Sequence, residues 1–223
     1  MTRKQTINPT AVQAQPEKDL LLSFLSGTAA FVKKHKQSVL TAVGILLLAA
    51  VVGYAYSEHV KNVQEKSWAA YYTALRSVRN NPTDLSPLDG VGLQYPNTLA
   101  AQYAQLLKGD SLYAQENFAQ AADVYAPLLN AANEMLATDA ALSLGAAHQA
   151  TGDYTGSIDV LTTFIQNHPT SFALPQAYFT LAMSQELAGK KQDAIETYQL
   201  ILSDYTKSYF GKMAKDKLAI LNK

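Results

Sequence analysis

Histidine, cysteine and serine are the residues whose spacing most often marks a catalytic or metal site, and in this chain they form no such pattern. The four histidines are scattered, and no two have metal-ligand spacing with a carboxylate; they are His35, His59, His148 and His168. The absence of cysteine excludes disulfides, thiol catalysis, cysteine zinc sites and an acylated lipoprotein cysteine. There is no serine in a strained-turn motif and no glycine-rich phosphate loop. We therefore predict a protein that is not an enzyme, with no catalytic residues, cofactor or metal.

The remaining functional classes are narrowed by charge. The 223 residues carry 18 basic and 18 acidic side chains, and this balance argues against binding to nucleic acid. The charge is unevenly distributed, because residues 1–37 have six basic and two acidic side chains, whereas residues 57–223 have 12 basic and 16 acidic ones. Between these parts, residues 38–56 carry no charge. A positive tail and a negative main part separated by an uncharged block suggest a barrier between them.

The uncharged block, Ser38–Tyr56, is 19 residues of mostly Leu, Val, Ala, Ile and Gly. As a helix it would cover roughly 28 Å, close to the ~30 Å hydrocarbon core of a bilayer. A cleaved signal peptide fits less well, because the block starts after 37 residues and is longer than a signal core. The sequence predicts a transmembrane helix over residues 38–56, in contact with membrane lipid.

The orientation of this helix follows from its flanking charges. Lys33, Lys34 and Lys36 lie immediately before it, and basic residues favour the cytoplasmic side. We expect a partly disordered cytoplasmic tail over residues 1–37, a single-pass anchor, and residues 57–223 outside the cytoplasm.

Three segments after residue 100 resemble one another at spacings of 36 and 37 residues. Each has a large residue, then Leu-Gly, Leu-Ala or a similar small residue, then Gly-x-aromatic or an equivalent turn, then a small residue and a large one. The clearest copy runs from Leu144-Gly145 through Gly152-Asp153-Tyr154 to Pro169. This order of residues closely resembles the tetratricopeptide repeat, in which two antiparallel helices form each unit.

The periodicity supports the same fold. Each segment gives two apolar stripes at helical spacing separated by a turn, and such helix pairs must stack to bury a continuous core. A degenerate copy starts at Trp68, and its second helix should be short or irregular because of Pro87, Gly90 and Gly92. The apolar stripe after Tyr209 indicates a capping helix. We predict an all-α chain with one transmembrane helix and a tetratricopeptide α-solenoid of about three clear repeats, one degenerate repeat and one cap.

These predictions divide the chain into a tail (residues 1–37), a transmembrane helix (38–56), a linker helix that starts the degenerate repeat (57–80) and a repeat domain (67–223). In tetratricopeptide proteins the first helices of the repeats line a concave groove that holds a partner. The matching positions here are Tyr103, Leu106, Asp110, Tyr113, Leu142, Ala146, Gln149, Phe179, Met183 and Glu186. This lining is apolar and acidic without Lys or Arg, so it disfavours clamping a terminal carboxylate and favours an apolar or basic segment.

The architecture resembles a known family, the ancillary subunit of the SecYEG translocon. The resemblance runs from about Lys33 to the carboxy terminus and includes the Trp68–Leu75 helix and the junction at Tyr95-Pro96-Asn97-Thr98. It implies a scaffold that is anchored in the bacterial inner membrane, has its repeats in the periplasm, and links chaperones or clients to subunits of the protein-export channel. The similar junction His168-Pro169-Thr170-Ser171 also occurs in the Tol-Pal cell-division coordinator and in outer-membrane assembly lipoproteins, of which the missing cysteine disfavours the latter.

A second class of function is a structural envelope protein that assembles with copies of itself. In that case the groove would be filled by the linker helix or by another copy, and homo-oligomers would form. An open groove therefore favours a recruiting scaffold, and a filled groove favours self-assembly.

Overall fold

The computed structural model describes the backbone of residues 17–221 and the side chains of residues 24–29 and 31–221. The chain forms two compact units, residues 1–59 and residues 60–223. The first unit contains helix α1, Glu17–Lys34, and the beginning of helix α2, Lys36–Asn80. The disorder predicted for the start of the tail concerns residues 1–16, which lie outside the described residues.

Helix α2 is 45 residues long and contains the whole apolar block at residues 38–56. It is the one helix among the described residues that is long and apolar enough to cross a membrane. The side chains of the apolar block are almost all exposed, including Leu46, Leu47 and Leu48. Residues 57–80, the predicted linker helix, continue the same helix without a break.

The second unit is a series of helices joined by short turns. They are α3 (Ser86–Gln94), α4 (Leu99–Ala114), α5 (Phe118–Tyr125), a short 3-10 helix (Ala126–Asn130), α6 (Glu134–Thr151), α7 (Tyr154–Asn167), α8 (Leu174–Leu187), α9 (Lys191–Asp204) and α10 (Tyr209–Leu221). Helices α4 and α5, α6 and α7, and α8 and α9 form the three clear repeats. Each first helix also packs against the next first helix, as a solenoid requires.

The degenerate repeat has the short second helix that the sequence predicts. Helix α3 is nine residues long and has a proline in its first turn. Its Leu88 and Val91 pack with Ala74 of α2 and Ala104 of α4 in one buried cluster. The carboxy-terminal part of α2 therefore acts as the first helix of this repeat.

Within each clear repeat a small residue of the first helix meets a large residue 16 positions later. Gly109 faces Tyr125, Gly145 faces Leu161, and in the last repeat Ala182 and Tyr198 occupy the same positions. A Cβ atom at Gly145 would lie 2.9 Å from the Leu161 side chain, which is closer than van der Waals contact. The small residues thus allow the two helices to approach closely, as the sequence indicates.

The turns between helices use conventional capping. Thr98, Asn133 and Asp153 each accept a hydrogen bond from a backbone N–H in the first turn of the following helix. Gly152 ends α6 with φ = 83°, in the left-handed region that glycine adopts without strain. These caps determine where each helix begins and ends. They therefore also determine the register in which α4, α6 and α8 pack, and which of their faces remain uncovered.

Candidate functional site: a protein-binding groove

The groove positions are most easily compared by their offset from the small residue of each first helix, which is Gly109, Gly145 or Ala182. Four offsets recur on one side of these helices. They are Tyr103, Asp139 and Gln176 at six residues before; Leu106, Leu142 and Phe179 at three before; Asp110, Ala146 and Met183 at one after; and Tyr113, Gln149 and Glu186 at four after. Because consecutive offsets are three or four residues apart, about one helical turn, the four positions within each first helix share a face.

The position three residues before the small residue belongs to the core. Leu106 is buried, and Leu142 is partly buried against another core cluster. Phe179 is 5% exposed, with its ring 5.7 Å from the rings of Tyr198 and Phe210. Leu106 and Phe179, which the sequence places in the groove lining, are therefore core residues, because this position packs toward the next first helix and, in the last repeat, that helix is the cap.

The other groove residues are half-buried or exposed, and several have partners. Tyr113 packs edge-on against Phe118, with ring centroids 4.9 Å apart. Gln149 donates a hydrogen bond of 3.0 Å from Nε2 to Ser184 Oγ, which is also 2.8 Å from Ser157 Oγ. Met183 is partly buried beside the last core cluster. These contacts fix the middle of the groove but leave part of each side chain accessible.

At the carboxy-terminal end of the groove, the charge of the acidic residue Glu186 is balanced by a lysine. Glu186 Oε2 accepts a hydrogen bond of 3.2 Å from the Tyr198 hydroxyl and lies 3.0 Å from Lys217 Nζ of α10. The expectation of a lining without basic residues is therefore wrong at this end, because the capping helix supplies a lysine that the repeat pattern does not include.

At the amino-terminal end the acidic residues have no such partner. Asp110 Oδ1 accepts a hydrogen bond of 2.7 Å from the Tyr125 hydroxyl. Among the described residues neither Asp110 nor Asp139 forms an ion pair, and the nearby Lys108 is paired with Asp89 at 2.6 Å. Desolvation raises the pKa of Asp110 more than the Tyr125 hydrogen bond lowers it. Desolvation also raises the pKa of Asp139, with a further contribution from the charge of Asp110.

An aromatic cluster lies beside these carboxylates, at positions that the repeat pattern does not assign to the groove. The Trp68 ring is 5.8 Å from Tyr103 and 5.5 Å from Tyr71, and Tyr72 is 58% exposed. Burial is the largest cause of the raised pKa of Tyr71. Electrostatic interactions with Tyr72, Tyr103 and Asp110 raise this pKa further, so these groups lie near one another. The repeat register could have identified Asp139 from its alignment with Tyr103, whereas Trp68 and Tyr71 lie in the degenerate repeat.

Two of the four histidines, His148 and His168, have structural partners in the repeats. His148 Nδ1 lies 2.9 Å from Asp153 Oδ2, next to the cap of α7, and His168 stacks on Phe164 with ring centroids 5.0 Å apart. No group of three or more His, Asp or Glu that could hold a metal ion occurs among the described residues.

The raised pKa of Asp110 gives a pH-dependent prediction. Because this pKa is higher in the folded state, the charged carboxylate costs stability as the pH rises from the unfolded value of about 3.9 through the folded value. Asp110→Asn removes that charge and can still accept the Tyr125 hydrogen bond. We expect the variant to gain stability relative to the wild type between acidic and neutral pH, by less than about 1 kcal/mol at this exposed site.

Urea unfolding followed by circular dichroism between pH 3.5 and 7 measures this difference, and Asp123→Asn on α5 is the control. A constant difference between Asp110→Asn and the wild type across this range would contradict the prediction.

The comparisons with known proteins agree with this geometry. Residues 106–172 and residues 176–208 match tetratricopeptide repeat family models. A solved structure described as "MamA RS-1 ArsTM double mutant" superposes with a TM-score of 0.57 at 18% sequence identity, over 70% of this chain and 83% of that chain. No curated protein sequence matches the chain.

These observations define the class of protein as an α-solenoid. More particularly, the matched segments are tetratricopeptide repeats, with a degenerate repeat before them and a capping helix after them. Tetratricopeptide repeats typically act as non-enzymatic scaffolds for protein–protein interaction.

Proposed function

We propose that the protein is a membrane-anchored scaffold whose repeats bind protein partners in the bacterial periplasm. Residues 38–56 would cross the inner membrane, with residues 1–37 in the cytoplasm. The observation that supports the anchor is the exposure of the apolar side chains of this block. Water would make that exposure costly, whereas a bilayer would cover it.

The partners we propose are subunits of the protein-export channel and periplasmic chaperones or their clients. This choice rests on the resemblance to the ancillary SecYEG subunit and on the accessible groove residues of α4, α6 and α8. Tyr103, Tyr113 and Gln149 present partly exposed side chains there, and aromatic side chains are frequent anchors at interfaces.

Self-assembly is the second candidate, and the capping helix supports it. Tyr209 and Ile220 are 69% and 64% exposed, and residues eleven apart lie on the same side of a helix. These two exposed apolar side chains of α10 could meet another copy. A Tol-Pal-like envelope coordinator would have the same anchor and groove but different partners.

Topology can be tested by adding protease to spheroplasts and, separately, to inverted membrane vesicles. We expect digestion of residues 57–223 in spheroplasts and of only the tail in inverted vesicles. Protection of the large part in spheroplasts would contradict the proposed orientation.

Partner binding can be tested with a photoreactive phenylalanine analogue that replaces single tyrosines in the full chain in living cells. We expect a probe at Tyr113 to crosslink to channel subunits or chaperones, identified by mass spectrometry, because this side chain lines the groove. The matched control is Tyr154, which lies on the second helix α7. Crosslinks confined to further copies of the chain, strongest from a probe at Tyr209, would instead support self-assembly.

A further inference from the structure

The two ends of the groove differ in how their acidic groups are balanced. At the carboxy-terminal end Glu186 is matched by Lys217 at 3.0 Å. At the amino-terminal end Asp110 and Asp139 have no ion-pair partner among the described residues, since Lys108 is paired with Asp89. The charges of these two carboxylates are therefore not balanced by a cation of the described residues, in contrast to the charge of Glu186.

The side chains around these carboxylates are suited to a cation. The ring centroids of Tyr71 and Tyr103 lie 5.5 and 5.8 Å from that of Trp68. The faces of such rings attract ammonium and guanidinium groups, and tryptophan is the strongest of them. Tyr103 and Asp110 are seven residues apart on α4 and therefore lie on the same face. The aromatic rings and the carboxylates thus form one continuous surface.

The negative charge of this surface also disfavours two other kinds of ligand, namely anionic groups and entirely apolar segments. A partner's carboxylate or phosphate would meet two negative groups at this end of the groove, and no unpaired basic group among the described residues balances them. An entirely apolar segment could stack on the rings but would leave Asp110 and Asp139 without a counter-charge.

We propose that this surface, formed by Trp68, Tyr71, Tyr103, Asp110 and Asp139, binds a lysine or arginine side chain of a protein partner. The inference rests on the proposed scaffold function and specifies which segment of a partner the groove accepts, namely an extended segment with a basic residue between apolar ones. The basic side chain lies against the aromatic rings, and its charge pairs with the carboxylates. The neighbouring apolar residues contact the half-buried side chains further along the groove.

The single tryptophan of the chain reports directly on this surface, because Trp68 is part of it. The experiment uses the full chain in a non-ionic detergent and titrates capped nonapeptides without aromatic residues. The central residue is arginine, lysine, citrulline or glutamate, flanked by leucines. Citrulline has nearly the shape of arginine but no charge, so the two peptides differ mainly in the charge at the site.

We expect the arginine and lysine peptides to change the fluorescence of Trp68 and to bind about fivefold more tightly than the citrulline peptide, as one partly exposed charge pair allows. The glutamate peptide should bind more weakly still. Added salt should remove the advantage of arginine over citrulline.

Substitutions test whether the carboxylates cause the tighter binding of the arginine peptide relative to the citrulline peptide. Asp110→Asn and Asp139→Asn should each reduce the ratio of arginine to citrulline affinity, and the double variant should bring it close to one. Asp123→Asn, an exposed carboxylate on α5, should leave the ratio unchanged. Because each ratio is measured within one protein, a small change in stability does not imitate the effect, and Asp139→Asn provides a second test if Asp110→Asn folds poorly.

Equal affinity for the arginine and citrulline peptides, no response of Trp68 to any peptide, or the same loss in Asp123→Asn would overturn the proposal. The crosslinking probe at Tyr113 separates this result from the scaffold function. Crosslinks to export or chaperone proteins without a preference for arginine would leave the scaffold intact and remove only the basic-residue site. A preference for arginine without any crosslinked partner would contradict the scaffold function instead.

Discussion

Replacing Gly109 by leucine should destabilise the repeat domain by about 3 kcal/mol or more, the upper part of the usual range for overpacking. A side chain here would overlap the ring of Tyr125, which is 1% exposed. The ring cannot move aside easily, because its hydroxyl is held by Asp110 at 2.7 Å. For a domain of this size the loss corresponds to a melting temperature lower by about 6–12 °C, measured by circular dichroism.

Substitutions at two other glycines serve as comparisons for this prediction. Gly145→Leu should cost less, because the Leu161 side chain that it meets is flexible and has no hydrogen bond to lose. Gly90→Ala has no atom near its new methyl group and should be neutral or slightly stabilising through helix propensity. The cost of Gly109→Leu should also shrink in a Tyr125→Ala background, since the two sites are in contact. Equal melting of the Gly109, Gly145 and Gly90 variants would contradict the packing of the repeats described above.

The repeat fold could be predicted from the sequence because its determinants are local. Gly145 and Leu161 are separated by one helix–turn–helix unit, and Gly152 marks the turn between them. Such a unit recurs at a nearly constant period, so each copy supports the assignment of the others. The length of α3 could be anticipated for the same reason, since a proline and two glycines lie within one short segment.

The site was harder to predict because the burial of a side chain in a solenoid depends on the helix that packs next to its repeat. Phe179 has the same register as Leu142, but it is covered by α10, whose sequence is not a repeat. Lys217 reaches Glu186 from 31 residues away, and no repeat position predicts a basic residue there. Trp68 and Tyr71 lie in the degenerate copy, where the repeat pattern assigns no groove positions. The errors therefore concentrate at the two ends of the repeat array.

Ending the chain after Ser208, which removes α10, should destabilise the last repeat severely. Ala214 and Leu218 of α10 are buried against Phe179, Tyr198 and Ile201, and solenoids need a terminal helix that covers the last apolar surface. One buried leucine or phenylalanine contributes about 1.5–3 kcal/mol, so removing several apolar side chains of α10 should cost on the order of 5 kcal/mol. We expect a melting temperature at least about 10 °C lower, together with aggregation through the exposed core.

The control for this truncation is the paired substitution Tyr209→Ser and Ile220→Ser, which alters the exposed side of α10 and leaves its buried side intact. This variant should melt close to the wild type, and any loss of dimers from it would identify the outer side of the cap as a self-assembly surface. If the truncated chain melted like the whole chain, α10 would not be part of the solenoid. Phe179 would then be accessible in the groove, and its assignment as a core residue would have to be abandoned.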